Sequence, residues 1–146
     1  MDRVECKLGN LEGSDYERKF NVLSRLGPDL GRGERTYIGN IDALMRARST
    51  GALSEAEIEQ IASLDYIIRA RRGPGADAPE VFIACEISMT VDARDVRRAA
   101  ERAGLMGRAG LDSVAYAGGQ VVTQEAATLA AELGVALVID RAEPAA

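Results

Sequence analysis

The chain contains no histidine and no tryptophan. Without imidazole it has neither a proton shuttle tuned near neutral pH nor a histidine metal ligand, so every histidine-dependent mechanism is excluded. Cysteines number two, Cys6 and Cys85, too few for a structural zinc site. One lies near a terminus and the other in an apolar run, which reads as two reduced thiols of a cytoplasmic protein. No apolar run is long enough to cross a bilayer and no signal peptide is recognisable, so no membrane partner is expected. There is no dinucleotide fingerprint and no phosphate-binding loop, since Gly31-Arg32-Gly33 has no apolar strand before it. The net charge of −5 argues against capture of nucleic acid by bulk electrostatics and leaves only a local basic surface for that purpose.

What is present suits one globular domain. The 146 residues are 47% apolar and 28% charged, enough for a core of its own. Residues 1–10 and 141–146 are expected to be loose. The chain is organised around residues 65–88. Two apolar runs there, Tyr66–Ala70 and Val81–Ile87, flank a Gly-Pro-Gly segment, the pattern of two strands joined by a loop. Asp65 opens the first run and Glu86 sits inside the second. Aspartate and glutamate are depleted in strands, and a lone buried carboxylate is costly.

Side chains two apart on a strand share a face. Glu86 and Ser88 therefore point one way, and Ile83, Cys85 and Ile87 the other. If the hairpin pairs in a suitable register, Asp65 and Glu86 converge on one side of the sheet. Two adjacent carboxylates repel unless a proton or cation lies between them, and an oxygen-only set suits Mg²⁺ or Mn²⁺. The alternative is that Glu86 simply meets an arginine or ends its strand near solvent.

The rest of the chain reads as helices around this pair. A helix is expected over residues 11–26, where Ser14 and Glu17 fit a capping box. Glu17 is thereby either a box residue or a third acid for the site. Further helices are expected over Ile41–Arg48, from the box Ser54–Glu57 to about Leu64, and from Thr90 or Asp92 to Gly107 or Gly110. On the last of these Arg94, Arg98 and Arg102 recur every four residues, roughly opposite its apolar face. The stripe is either a solvated face or a phosphate track for nucleic acid. Ser113–Ala117 reads as a short strand, Gly118-Gly119 as a turn, Thr123–Leu133 as a capped helix, and Val135–Ile139 as a buried strand. The order predicts an α/β fold, a mixed central sheet flanked by helices.

A helix with an acid, an Asp-led strand, a strand bearing Glu86-Ile87-Ser88, then a helix and a strand: this resembles the PD-(D/E)XK nuclease superfamily over about residues 12–117. Within it, Leu64-Asp-Tyr-Ile-Ile-Arg-Ala-Arg71 and Cys85-Glu-Ile-Ser-Met-Thr-Val-Asp92 look like an uncharacterised bacterial subgroup often joined to coiled coils. The resemblance implies a restriction-endonuclease-like core extended by a C-terminal helix and strand. It implies Asp65, Glu86 and Glu17 as ligands of Mg²⁺ or Mn²⁺, metal-dependent hydrolysis of nucleic acid, and a homo-oligomer, a dimer being the simplest. Ser88 occupies the position of the superfamily's lysine, which helps activate water and stabilise developing negative charge. A first strand before Asp65 is poorly marked. The same residues therefore also suit a module that has lost catalysis and binds nucleic acid or dimerises.

Overall fold

The computed structural model describes residues 22–27, 29–31, 33–140 and the backbone of 144–145. Three antiparallel strands build one half of the sheet: β1 (Glu34–Thr36), β2 (Tyr66–Arg71) and β3 (Glu80–Val91). Two helices, α1 (Asp42–Thr50) and α2 (Glu55–Ala62), fill the connection from β1 to β2. After β3 the chain crosses over through α3 (Ala93–Arg108) and returns as β4 (Ser113–Thr123), parallel to β3. A second crossover through α4 (Gln124–Leu133) leads to β5 (Ala136–Ile139), parallel to β4. The strand order β1-β2-β3-β4-β5 makes a mixed sheet in an α/β fold, as the alternation of elements predicts. Pro144–Ala145, in the tail expected to be loose, pair with Val122 and Thr123 as β6.

Local chemistry sets most of the boundaries. Ser54 Oγ accepts from Glu57 N at 3.1 Å while Glu57 Oε1 accepts from Ser54 N at 2.9 Å, the reciprocal box that starts α2. Asp92 and Asp95 repeat the arrangement at the start of α3, at 3.0 and 3.1 Å. Thr123 caps α4, and Gly51 and Gly134 end α1 and α4 at φ of 79° and 72°.

The two faces of the sheet carry different partners. Ile67, Phe82, Ala84, Ala115 and Ala117 join one core with residues of α1, α2, α3 and α4. Ile68, Ile83, Cys85, Ile87 and Tyr116 join the other, covered by Val22 and Leu26 from the 3-10 turn Val22–Arg25 and the segment after it. Tyr116 Oη and Gly27 N bond at 3.1 Å, and Arg25 holds Asp140, which fastens that turn over the sheet. Cys85 is fully buried on this second face, where desolvation and then the charge of Glu86 push its thiol well above the ordinary range. The rest of the helix expected over residues 11–26, with Ser14 and Glu17, lies outside the described residues, as does Cys6.

Two expectations fail here. Gly118-Gly119 is not a turn, because β4 runs through it to Thr123. The glycine is needed for another reason: a Cβ on Gly119 would lie 2.1 Å from Ser88 O and 2.8 Å from Val91 Cγ2. Close approach of the β3 backbone selects glycine, not left-handed geometry. Val135–Ile139 is also less buried than its composition suggests. Its strand is terminal in the five-strand order, so Ala136 is exposed and Val138 buried. Among the described residues no helix is long and apolar enough to cross a membrane.

Candidate metal and nucleic-acid site

The acid pair is assembled by strand register. Tyr66 faces Cys85 across the antiparallel β2–β3 pair, which sets Asp65 opposite Glu86 one step earlier. Residues directly opposite share a face. Asp65 and Glu86 therefore lie together on the face that also carries Ile67 and Ala84, beneath α3. The backbone bonds agree. Ile87 N donates to Asp65 Oδ2 at 2.7 Å, and Asp65 N donates to Glu86 Oε2 at a long 3.4 Å. Each carboxylate thus reaches across to the other's strand. Both are buried, Asp65 at 5% exposure and Glu86 at 1%.

The helix above adds a cation and a third acid. Because α3 starts immediately after β3, its first turns overlie the end of that strand. Arg98 Nη1 sits 3.5 Å from Glu86 Oε1 and 4.0 Å from Asp95 Oδ1. Its side chain is only 15% exposed. The arginine stripe is therefore split. Arg98 turns toward the sheet and meets Glu86, the alternative that the sequence left open for this glutamate. Arg94 stays half exposed beside Asp92 at 3.6 Å. Arg102 donates to Gln60 O at 2.7 Å and ties α3 to the end of α2. Neither bond connects Arg94 or Arg102 to the acid pair. The arginines at 69–72 are engaged in the fold as well, Arg72 with Asp112 at 2.6 and 3.0 Å and Arg69 with Glu80 at 3.4 Å.

Ser88 is half-buried two residues beyond Glu86, and its hydroxyl donates to Thr90 O at 3.0 Å. Glu17 lies outside the described residues. Among those described, no group of three or more acidic or cysteine side chains is arranged to hold a metal. Asp65 and Glu86 offer oxygen donors alone from two adjacent strands, a donor set that fits Mg²⁺ or Mn²⁺ and disfavours softer ions. Glu86 Oε1 already faces a guanidinium, which a metal would have to share or displace.

Two residues near the pair have no counterpart among the site residues read from the sequence. Asp95 counted only as an acid near a helix start, yet it is 8% exposed and its pKa is raised to about 6. Burial is the main cause, with the charges of Asp92 and Glu86 adding to it against the hydrogen bond from Asp92 and the attraction of Arg98. Its position three residues after the Asp92 cap was the available signal. Arg35 follows Gly31-Arg32-Gly33, and nothing in that local sequence marks it for a site. Its guanidinium donates to Asp65 O at 3.3 Å and lies over the rings of Tyr66 and Tyr37, at 4.4 and 5.3 Å.

The raised pKa of Asp95 gives a pH signature. Below about pH 3 the folded and unfolded chains both hold its proton. As pH rises toward about 6 the unfolded chain releases the proton first, so the stability associated with neutral Asp95 is lost, and the loss is complete above that pH. The gap of about two units corresponds to a loss on the order of 3 kcal/mol. Asp95→Asn keeps an acceptor for Asp92 N and removes the ionisation. Without added metal, the melting temperature of the variant should exceed that of the wild type by several °C at pH 8 and converge with it at about pH 3. A difference that does not change with pH contradicts the assignment.

Comparison with protein-family models, with curated proteins and with solved structures found no match.

Proposed function

We propose that the chain is a PD-(D/E)XK-type nuclease-like domain whose Asp65 and Glu86 hold one Mg²⁺ or Mn²⁺ beside a nucleic-acid backbone. The observation that carries this reading is the register of β2 on β3, which sets two buried carboxylates side by side. The order β2, β3, α3, β4 adds support, since it follows the pattern of the resemblance. The three-residue β1 supplies the preceding strand that the sequence marked poorly. A bound cation would polarise the phosphodiester and lower the pKa of the attacking water. The chain's own part is to hold the carboxylates in place: Ile87 N fixes Asp65, Asp65 N and Arg98 orient Glu86, and α3 limits water from above. Among the described residues Arg98 is the cation bonded to the pair, 3.5 Å from Glu86. It stays protonated, so it can stabilise negative charge but is a poor general base.

The second reading is a domain that keeps the fold and has lost hydrolysis, serving as a nucleic-acid-binding or dimerising module. Two observations favour it: the Arg98–Glu86 contact partly satisfies the glutamate without a metal, and Ser88 is engaged with Thr90.

Calorimetric titration with Mn²⁺ tests the site. Glu86→Gln is preferable to Glu86→Ala because the amide still accepts from Asp65 N, and alanine would leave Arg98 facing a void. Wild type should bind one Mn²⁺ and Glu86→Gln should bind it at least about 100-fold more weakly, a loss of about 3 kcal/mol. Undiminished affinity in the variant means that Asp65 and Glu86 do not hold the ion.

A further inference from the structure

A cleft of about 200 Å³ opens beside Asp65, between the end of β1 and the start of β2. Its floor is apolar, formed by the buried Leu64 and Ile67 with the half-buried Ile38, and its rim carries Arg35 and Tyr37. Asp65 belongs both to this lining and to the carboxylate pair. Tyr37 is 58% exposed, one of the few large apolar side chains among the described residues to stand so far into solvent. Arg35 is held from two directions, by the carbonyl of Asp65 and by the ring of Tyr66, with Tyr37 on its other flank. The result is an exposed tyrosine braced by arginine at the edge of an apolar slot.

Size and charge narrow the ligand. The cleft is smaller than the roughly 300 Å³ at which pockets for drug-sized ligands begin, so it suits one planar group. Asp65 in the lining disfavours a bare phosphate there. A neutral, flat ring meets the apolar floor, stacks on the exposed tyrosine, and leaves the charge of its own phosphate outside. A base inside a duplex cannot present its face to such a slot.

We infer that this cleft receives one unstacked base of a single-stranded nucleic acid, laid against Tyr37 with its adjoining phosphate toward the cation proposed at Asp65 and Glu86. The inference rests on the function proposed above for that pair. It gives the domain a preference for single strands that the acid pair alone would not supply.

Fluorescence anisotropy of the full chain with labelled oligothymidylate and with a labelled duplex, in Ca²⁺ to suppress cleavage, tests it. Tyr37→Ala should weaken single-strand binding by about 10- to 100-fold, the range of one lost base–aromatic stack. Tyr37→Phe should retain it, and duplex binding should change by less than about twofold. Single-strand binding by Tyr37→Ala equal to that of wild type overturns the inference, as does an equal loss on both nucleic acids. Failure of the wild type to bind the single strand also overturns it. In that event the Mn²⁺ titration separates the two levels: heat that Glu86→Gln removes leaves the metal site standing without the base cleft, and absence of such heat removes both.

Discussion

Ser88→Lys is expected to raise single-turnover cleavage of labelled DNA or RNA by about 10² to 10³ over a slow wild-type rate, the usual size of one electrostatic stabiliser in the transition state. Regular strand alternation from Glu86 would put position 88 on the same face. The register neighbour of Ser88 on β4 is Gly119, where the Ser88 carbonyl and Val91 already fill the space of a side chain, so a lysine stem cannot run that way. On the other flank β2 begins only at Tyr66, so among the described residues no paired strand lies beside Ser88 and a lysine can extend there. The lost hydroxyl bond to Thr90 is local and half-exposed, and should cost about 1 kcal/mol or less. Asp65→Ala serves as the contamination control. A Ser88→Lys protein as inert as Asp65→Ala, with Mn²⁺ bound to it, would sink the hydrolytic reading and leave the binding module. Brisk cleavage by the wild type would mean that Arg98 already supplies the charge.

The second large effect concerns Arg98. Its guanidinium is mostly buried against Glu86 and Asp95, so removing it takes an adjacent positive charge from two buried carboxylates. Breaking one partner of a buried pair commonly costs about 3–5 kcal/mol. For a chain of this length that corresponds to a fall of roughly 10 °C in the metal-free melting temperature of Arg98→Gln. The same change should tighten Mn²⁺ binding by about ten- to a hundredfold, because a like charge beside the site no longer opposes the ion. Thermal melts with and without Mn²⁺ check both halves. Loss of stability that Mn²⁺ does not restore would identify Glu86 and Arg98 as a structural ion pair and nothing more. The two alternatives read for Glu86 thus become competing occupants of one carboxylate.

The parts legible in the sequence are those decided within a few residues. Ser54 with Glu57, Thr90 or Asp92 before α3, and Thr123 before α4 each declare a helix start within a few residues. The hairpin was legible for the same reason, as two apolar runs around Gly-Pro-Gly. The facing of Asp65 and Glu86 was conditional on register, which the pairing of Tyr66 with Cys85 supplies. What stayed hidden depends on partners far along the chain. Gly118-Gly119 carries the composition of a turn, and only the approach of the Ser88 carbonyl from β3 accounts for glycine at position 119. Arg98 belongs to a regular four-residue stripe, and nothing in that spacing tells which arginine tilts under the helix. That is fixed by the rotation of α3 over the sheet. The role of Arg35 needs Tyr37 and Tyr66 brought together from two strands.

Cys85 and Glu86 are consecutive residues that face opposite sides of a central strand. A thiol reagent cannot reach Cys85 until β3 leaves the sheet, so alkylation there proceeds only through the opening reaction. Anything that Glu86 grips on the helix side favours the closed form and slows that labelling in proportion to its own saturation. Occupancy of the acid pair is therefore written on the reverse of the sheet as the rate of a covalent modification. The ligand itself needs no label, and its chemical identity does not have to be known in advance.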